Sequence, residues 1–147
     1  MSAAYPFTMP SKPPNEGVFR VLLADDHQLF AESLMTVLSE DERVDVIGIA
    51  ANGEQAVELA TQLQPDVILM DIKMPVLDGL EATRRIREKG LAMQILLLTG
   101  TDEPIGSEDA TLAGANGFIR KERSVEELKE LLLEVASLAA VLGMQTR

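Results

Sequence analysis

Short apolar runs alternate with helical stretches along most of this chain. Five runs have the length of strands, at residues 19–24, 44–50, 67–70, 94–98 and 117–119. Three of them are apolar at nearly every position, which is typical of strands covered by helices on both faces. The pattern therefore predicts a parallel sheet.

Apolar residues at helical spacing fill the gaps between these runs, at residues 29–38, 54–63, 80–89, 108–113 and 125 to about 142. The last helix is the clearest, because Ser124 and Glu127 match a capping box and leucines recur along one face. The fourth is short, has few large apolar residues and follows Pro104 and Gly106, so we expect it to be marginally stable. The predicted order is five successive strand and helix pairs.

One domain is predicted, at residues 18–142, ending in the long helix. Residues 1–17 hold four of the seven prolines and show no periodicity, so we expect a disordered N-terminal tail, and residues 143–147 form a second tail. The length of 147 residues and the 46% hydrophobic content are those of an ordinary globular domain.

Composition excludes several functions. The formal net charge of −11 repels nucleic acid and anionic lipid, and aromatic residues at 3% leave no platform for stacking bases. Without cysteine and with a single histidine, the chain can form neither a disulfide nor a multi-histidine metal site. It has no apolar run long enough for a membrane span and no secretory signal, so we expect a cytoplasmic protein that binds neither nucleic acid by itself nor membrane.

Polar residues follow four of the predicted strands. Asp25 and Asp26 come after the first, Asp71 after the third, Thr99 after the fourth and Lys121 near the end of the fifth. Because ligands of open parallel sheets bind at the carboxyl ends of the strands, we expect these groups to converge. Three adjacent carboxylates need a compensating cation or raised pKa values, and their oxygens suit Mg²⁺, Mn²⁺ or Ca²⁺. The set is that of phosphoryl transfer, with an aspartate able to act as nucleophile.

Each residue also has an ordinary structural interpretation. The Asp25-Asp26 pair could cap a helix, Asp71 could be a solvated turn residue, and Thr99 and Lys121 could be a strand end and a surface cation. The joint occurrence at four strand ends favours the functional interpretation. We predict that the His27 side chain is exposed to solvent, and we assign it no functional role. A solvated helix face is predicted for the cations near the end of the third helix, Arg84, Arg85, Arg87 and Lys89.

Taken together, these segments resemble the response-regulator receiver domain of two-component signalling, over about residues 18–138. The segments are LLADDH at 22–27, MDIKMP at 70–75 with Asp78-Gly79, LT at 98–99 and GANGFIRK at 114–121. The opening D-D-H and the G-A-x-G-F ending are similar to the NarL/LuxR-like subfamily. The resemblance implies a flavodoxin-like, doubly wound (βα)5 fold with strand order 2-1-3-4-5.

The resemblance also implies a role for each residue. Asp71 would accept a phosphoryl group from a histidine kinase or phosphotransfer protein. Asp26, Asp71 and the backbone carbonyl of Lys73 would hold Mg²⁺ or Mn²⁺, with Asp25 acting through water. Lys121 and Thr99 would contact the phosphoryl group.

Phe118 would be the switch aromatic, rotating inward as Thr99 moves. Met74-Pro75 and Gly79 would shape the loop after the phosphoacceptor. The output surface would comprise the fourth helix, fifth strand and fifth helix, open either to a second copy in a homodimer or to an effector domain. Such a protein is a phosphorylated switch and not an enzyme, catalysing only its own phosphorylation and slow dephosphorylation.

Two departures from the family pattern matter. Gly100 stands where the family usually has a small side chain such as alanine, which would widen access to the phosphoryl group and speed hydrolysis; Lys73 and Thr101 would tune its lifetime further. NarL/LuxR-like regulators usually continue into a helix-turn-helix domain, so the chain is either a stand-alone receiver or a regulator whose effector domain was removed.

Three other functions compete with this interpretation. A haloacid-dehalogenase-like phosphatase needs a second aspartate two residues after the nucleophile, where this chain has Lys73. A flavodoxin-like FMN protein needs phosphate-binding groups in its first loop, where Asp25 and Asp26 would repel the phosphate. A receiver-fold scaffold that acts without phosphorylation is opposed only by the complete residue set.

Overall fold

The computed structural model describes residues 17–100 and 107–141, in which five strands and five helices alternate. The strands are β1 (Phe19–Ala24), β2 (Val44–Ala50), β3 (Val67–Asp71), β4 (Gln94–Thr99) and β5 (Gly117–Arg120). The helices are α1 (Gln28–Ser39), α2 (Gly53–Leu63), α3 (Gly79–Glu88), α4 (Ser107–Ala113) and α5 (Val125–Val141). Apart from Gly17, the tails predicted at residues 1–17 and 143–147 lie outside the described residues, as do Thr101 and the segment containing Pro104 and Gly106.

All neighbouring strands are parallel, in the order β2-β1-β3-β4-β5. This is the predicted doubly wound, flavodoxin-like order. The continuous apolar runs have the predicted cause, because every residue of β3 and β4 is buried, whereas the edge strand β5 is only partly covered.

Alternate residues of each strand pack into two separate hydrophobic cores, one on each face of the sheet. Leu22 and Ala24 of β1 pack with residues of α2 and α3, while Val21 and Leu23 pack with residues of α1 and α5. The period of two along a strand produces this division. The sheet is therefore fixed from both sides, which holds its carboxyl edge in place.

Three strands run one residue further than predicted, and two of the added residues are candidate site residues. Asp71 pairs with Leu98, and Thr99 pairs with Arg120, so the parallel ladder continues through these polar positions. Their side chains are buried in spite of their polarity. Asp71 and Thr99 thus belong to strands and do not lie in the loops that follow.

Helix starts follow the caps that the sequence offers. The Asn52 and Asp78 side chains accept hydrogen bonds from the third residue beyond them, at the starts of α2 and α3. The predicted capping box of α5 is confirmed, since Ser124 and Glu127 exchange backbone and side-chain hydrogen bonds. No helix among the described residues is long and apolar enough to cross a membrane.

Arg87 does not belong to a solvated face, and that part of the sequence interpretation was wrong. Its guanidinium donates to the carbonyl of Gly114 at 2.8 Å, to that of Leu91 at 2.9 Å and to Asn116 Oδ1 at 2.9 Å. The same Asn116 oxygen accepts from the backbone of Ile95. Arg87 therefore ties the end of α3 to the turn after α4.

The other cations of the cluster behave as predicted. Arg84 and Arg85 are exposed, and both pair with Glu81 one turn earlier in α3. Lys89 is exposed as well, at the C-cap of the helix.

Candidate functional site

The candidate residues meet at the carboxyl edge of the sheet, as the strand order requires. Asp25 directly follows β1, and its backbone N–H donates to the carbonyl of Ala50 at the end of β2. Lys121 directly follows β5, and its N–H donates to the carbonyl of Thr99 at 2.8 Å. These bonds extend the ladder beyond the strands and fix where both side chains start.

The ammonium of Lys121 lies between the buried carboxylates. Its Nζ is 2.8 Å from Asp25 Oδ2 and 3.3 Å from Asp71 Oδ2. The Asp71 contact is a hydrogen bond, whereas the shorter Asp25 contact is an ion pair without hydrogen-bond geometry, which leaves Asp25 Oδ2 buried and without a hydrogen bond. The ring of Phe30 lies 4.6 Å from Nζ on another side. Lys121 is thus an internal counterion and not one more surface cation.

Asp71 carries the electrostatic signature expected of crowded carboxylates. Burial, followed by repulsion from Asp25, raises the pKa of Asp71 to about 6, and Lys121 opposes the shift. The Lys121 ammonium and the raised pKa of Asp71 thus both relieve the crowding. Asp71 is still mainly ionised at neutral pH, as a nucleophile must be.

When no metal is bound, replacing Asp71 with a neutral residue of the same shape should stabilise the protein. We expect Asp71→Asn to raise the free energy of unfolding at pH 7 by the order of 1 kcal/mol, because the site disfavours the charged form. Urea unfolding in a chelator would measure this.

The stability advantage of this variant should depend on pH. As pH falls below about 6, folded Asp71 takes up a proton while the unfolded chain, at its ordinary pKa, stays ionised. The wild type therefore gains stability towards pH 4, and the difference in the free energy of unfolding between Asp71→Asn and the wild type becomes smaller. A gap that stays constant with pH would contradict this account.

His27 is exposed as predicted, but its ring is not directed away from the site. Its Nδ1 lies 3.0 Å from Asp25 Oδ1, 3.5 Å from Asp26 Oδ1 and 3.7 Å from Asp71 Oδ2. His27 is the N-cap of α1, although its side chain makes no capping bond. Asp25 forms the local turn instead, because its Oδ1 accepts from the His27 backbone at 2.8 Å.

Sequence reasoning missed the contacts of His27 and Phe30. The adjacency of His27 to the acidic pair was the only signal for the first. Nothing in the sequence marked Phe30, because an aromatic residue in an amphipathic helix is usually part of the core.

The acidic residues fit a divalent cation. One donor atom from each of Asp25, Asp26, His27 and Asp71 lies within 4.8 Å of the others. Asp25 Oδ2 supplies a buried acceptor that no hydrogen bond uses, and carboxylate oxygens are the ligands that Mg²⁺ and Mn²⁺ accept.

The loop after Asp71 is held close to the β3 strand end. The Gly79 backbone donates to the carbonyl of Ile72 at 2.8 Å, and a Cβ at Gly79 would lie 2.1 Å from the carbonyl oxygen of Asp71. Val76 has φ of 71°, and Leu77 N–H bonds to the carbonyl two residues earlier, forming a γ-turn of the strained hand. Position 79 requires glycine because its backbone lies so close to the carbonyl group of Asp71.

The remaining predicted residues occupy the same edge with less specific contacts. Thr99 is 2% exposed and lies one position beyond the partner of Asp71 on β4. Phe118 is half-buried against the core that includes Ala110 of α4. Lys73 is exposed in the loop after β3, and Gly100 is half-buried next to Thr99.

A buried aspartate at the end of a central parallel strand, with a lysine and further carboxylates around it, defines a receiver-type signalling module of the flavodoxin-like class. The family model for the response regulator receiver domain matches residues 21–133. The chain belongs to the response regulator receiver family.

The relatives and structural neighbours refine this assignment. The chain is 36% identical over 83% of its length to the transcriptional regulatory protein DegU of Brevibacillus brevis, and 37% identical over 86% to the probable transcriptional regulatory protein NarL of Mycobacterium tuberculosis. It covers 52% and 58% of those proteins.

Among solved structures, it superposes on the signal receiver domain of the putative response regulator NarL from M. tuberculosis with a TM-score of 0.76 and 36% identity, covering 82% of this chain and 97% of the other. The predicted NarL/LuxR-like character is confirmed. The chain spans about half the length of the curated relatives that it matches.

Proposed function

We propose that this domain is a phosphoacceptor switch in which Asp71 receives a phosphoryl group from the phosphohistidine of a histidine kinase or phosphotransfer protein. The observation that carries the proposal is the contact between Lys121 and Asp71. A buried carboxylate with a raised pKa has an ammonium 3.3 Å away, which is itself paired with a second carboxylate. Family membership supports the same reaction.

The proposed transfer uses three residues that end or follow strands of the sheet, Asp71, Thr99 and Lys121. A carboxylate oxygen of Asp71 forms a bond to phosphorus while the phosphorus–nitrogen bond of the donor breaks, and the electron pair of that bond goes to the donor imidazole. The product is an acyl phosphate with added negative charge. The Lys121 ammonium offsets this charge, and the Thr99 hydroxyl donates a hydrogen bond to a phosphoryl oxygen.

A divalent cation completes this proposal. Asp26, Asp71 and the backbone carbonyl of Lys73 would hold Mg²⁺ or Mn²⁺, with Asp25 acting through water. A cation held by these residues would supply positive charge next to the phosphoryl oxygens. Asp25 is also needed to keep Lys121 beside Asp71, because the two carboxylates share its ammonium.

The proposed output is a change on the face formed by α4, β5 and α5. Thr99 would move towards the phosphoryl group, and Phe118 would turn into the space that it leaves. Phe118 already packs against the core beneath α4, which gives its rotation a direct mechanical effect there. The recipient is either a second copy of the domain or an effector domain. Two relatives are named as transcriptional regulatory proteins, and the expected location is the cytoplasm.

The test of the proposal is intact mass spectrometry of the chain with acetyl phosphate. We expect one phosphoryl adduct in the presence of Mg²⁺, none in a chelator, and loss of the adduct with hydroxylamine, which cleaves acyl phosphates. NMR with a beryllofluoride mimic would then report the change on the output face. Absence of an adduct together with absence of Mg²⁺ binding would instead support the phosphorylation-independent scaffold.

A further inference from the structure

An open groove runs along the last helix of the domain, away from the carboxylates of the candidate site. This α5 groove is lined by residues between Glu126 and Leu138 of the helix, by Arg123 just before it and by Arg43 in the loop before β2. Its volume is about 890 Å³, which is within the range of sites that hold a drug-sized ligand. The groove is therefore large enough for several side chains of a short segment.

The α5 groove contains an apolar stripe formed by Leu131, Val135 and Leu138. Their spacing of four and three residues places them on one face of the helix, over a length of about 10 Å. Leu131 and Val135 are half-buried against the core beneath α5, whereas Leu138 is 59% exposed. A large apolar side chain at the outer end of the stripe is thus left open to an occupant.

The rim of the α5 groove is negatively charged. Four of its lining residues are glutamates, Glu126, Glu127, Glu130 and Glu134. The charge of Arg43 is already compensated, because its guanidinium donates two hydrogen bonds to the carboxylate of Asp41, at 2.9 and 2.7 Å. Charge complementarity therefore favours an occupant that brings apolar side chains and a cation but no acidic group.

The N-terminal segment of the chain enters the fold beside this groove. The backbone N–H of Phe19 donates to the carbonyl of Arg43 at 2.7 Å, so the chain passes a lining residue as it begins β1. Gly17 has φ of 74°, and the chain bends there, directly before the strand. Sixteen residues precede Gly17 and span up to about 50 Å when extended. That reach covers the whole apolar stripe.

The sequence of this segment matches the groove in pattern, length and charge. Tyr5, Phe7 and Met9 are two residues apart, so in an extended chain their side chains point to the same side. Tyr5 and Met9 each precede a proline, which favours the extended conformation, and the distance between them is then about 13 Å, close to the length of the stripe. The first fifteen residues contain Lys12 and no acidic residue.

We propose that residues 5–9 of this chain occupy the α5 groove, with Tyr5, Phe7 and Met9 on the apolar stripe and Lys12 beside the glutamates. This interaction needs no phosphoryl transfer and goes beyond the proposed function. It replaces the expectation of a disordered tail for these residues. The segment shields Leu138 from solvent, and a partner that binds this side of α5 has to displace it first.

Acrylamide quenching of tyrosine fluorescence in the full chain tests the proposal. The chain has one tyrosine and no tryptophan, so the signal reports on Tyr5 alone. A short tether raises the effective concentration of the segment at the groove to the millimolar range, so we expect a quenching constant about threefold lower in the wild type than in Leu138→Glu. Equal constants in these two chains would overturn the proposal.

Leu112→Glu is the matched control, because Leu112 is a 75% exposed leucine of α4 outside the groove. We expect it to keep the low quenching constant of the wild type. Glutamate is a good helix former and both leucines are exposed, so both variants should fold, and thermal unfolding would confirm this. Equal increases in the two variants would show that the protection of Tyr5 does not come from the α5 groove, which would also overturn the proposal.

Two further measurements identify the occupant and its place. An intramolecular contact does not depend on concentration, so protection of Tyr5 that is lost on dilution would overturn the proposal in favour of a second copy in the groove. Nuclear Overhauser contacts should join the ring protons of Tyr5 to methyl groups of Leu131, Val135 or Leu138. Contacts of a protected Tyr5 ring with residues elsewhere in the domain would overturn the assignment to this groove.

Discussion

Asp71→Asn is expected to abolish phosphoryl uptake completely. The amide keeps the size of the carboxyl group and its place at the end of β3, but it lacks the anionic oxygen that attacks phosphorus. The side chain is buried beside Lys121, so the variant retains the shape of the site while losing its nucleophile. Intact mass after incubation with Mg²⁺ and acetyl phosphate measures the result as an adduct that is present or absent.

The matched control for this experiment is Asp78→Asn. Asp78 lies in the loop after the same strand, is exposed and caps α3, a role that asparagine fills equally well. We expect normal phosphoryl uptake from it. Because Asp71→Asn should also be more stable than the wild type, unfolding cannot explain its loss. An adduct of unchanged yield in Asp71→Asn would place the acceptor on another residue.

Gly79→Ala is expected to destabilise the domain by about 3 kcal/mol, the upper part of the range for an added buried methyl group. The new Cβ would lie 2.1 Å from the carbonyl oxygen of Asp71 and 3.0 Å from the Cα of Ile72. Both are backbone atoms next to the acceptor, so neither can turn away as a flexible side chain would. Urea unfolding measures the loss, and phosphoryl uptake should fall as the strand end moves.

Gly90→Ala separates this steric effect from the general cost of replacing glycine. Gly90 has φ of +80° and no atom within 4 Å of the added Cβ, so only backbone strain of about 1 kcal/mol is expected. Phosphoryl uptake should be normal. Equal losses of stability in the two variants would mean that the close approach at Gly79 has no special cost.

The sequence was sufficient to predict the architecture because strands that are buried on both faces have continuous apolar runs. Strands β1 and β2 have the predicted bounds, and the parallel order follows from apolar runs such as Val67 to Met70 together with the receiver resemblance. The chain also showed which polar groups end the strands. Since parallel strands bring their carboxyl ends to one edge, the meeting of Asp25, Asp71 and Lys121 was predictable.

Side-chain direction was not predictable in the same way. Arg87 and Arg84 have the same charge and lie in the same helix, yet Arg87 reaches two acceptors in the distant turn after α4 while Arg84 pairs with Glu81. Such contacts depend on the rotation of α3 against the sheet, which spacing fixes only roughly. The inward Nδ1 of His27 similarly depends on a turn formed by Asp25 Oδ1.

The hydrogen bonds of Arg87 make the two ends of α4 mechanically unequal. Arg87 holds the turn after this helix at Gly114 and Asn116. The first residue of α4, Ser107, lies about 10 Å from that turn, on the side of the sheet edge that holds Asp71. A helix that is held at one end pivots about that end when it is displaced, so the displacement grows with distance from the held residues. In the proposed switch, displacement of α4 would therefore be smallest at the end that Arg87 holds and largest at the first turn.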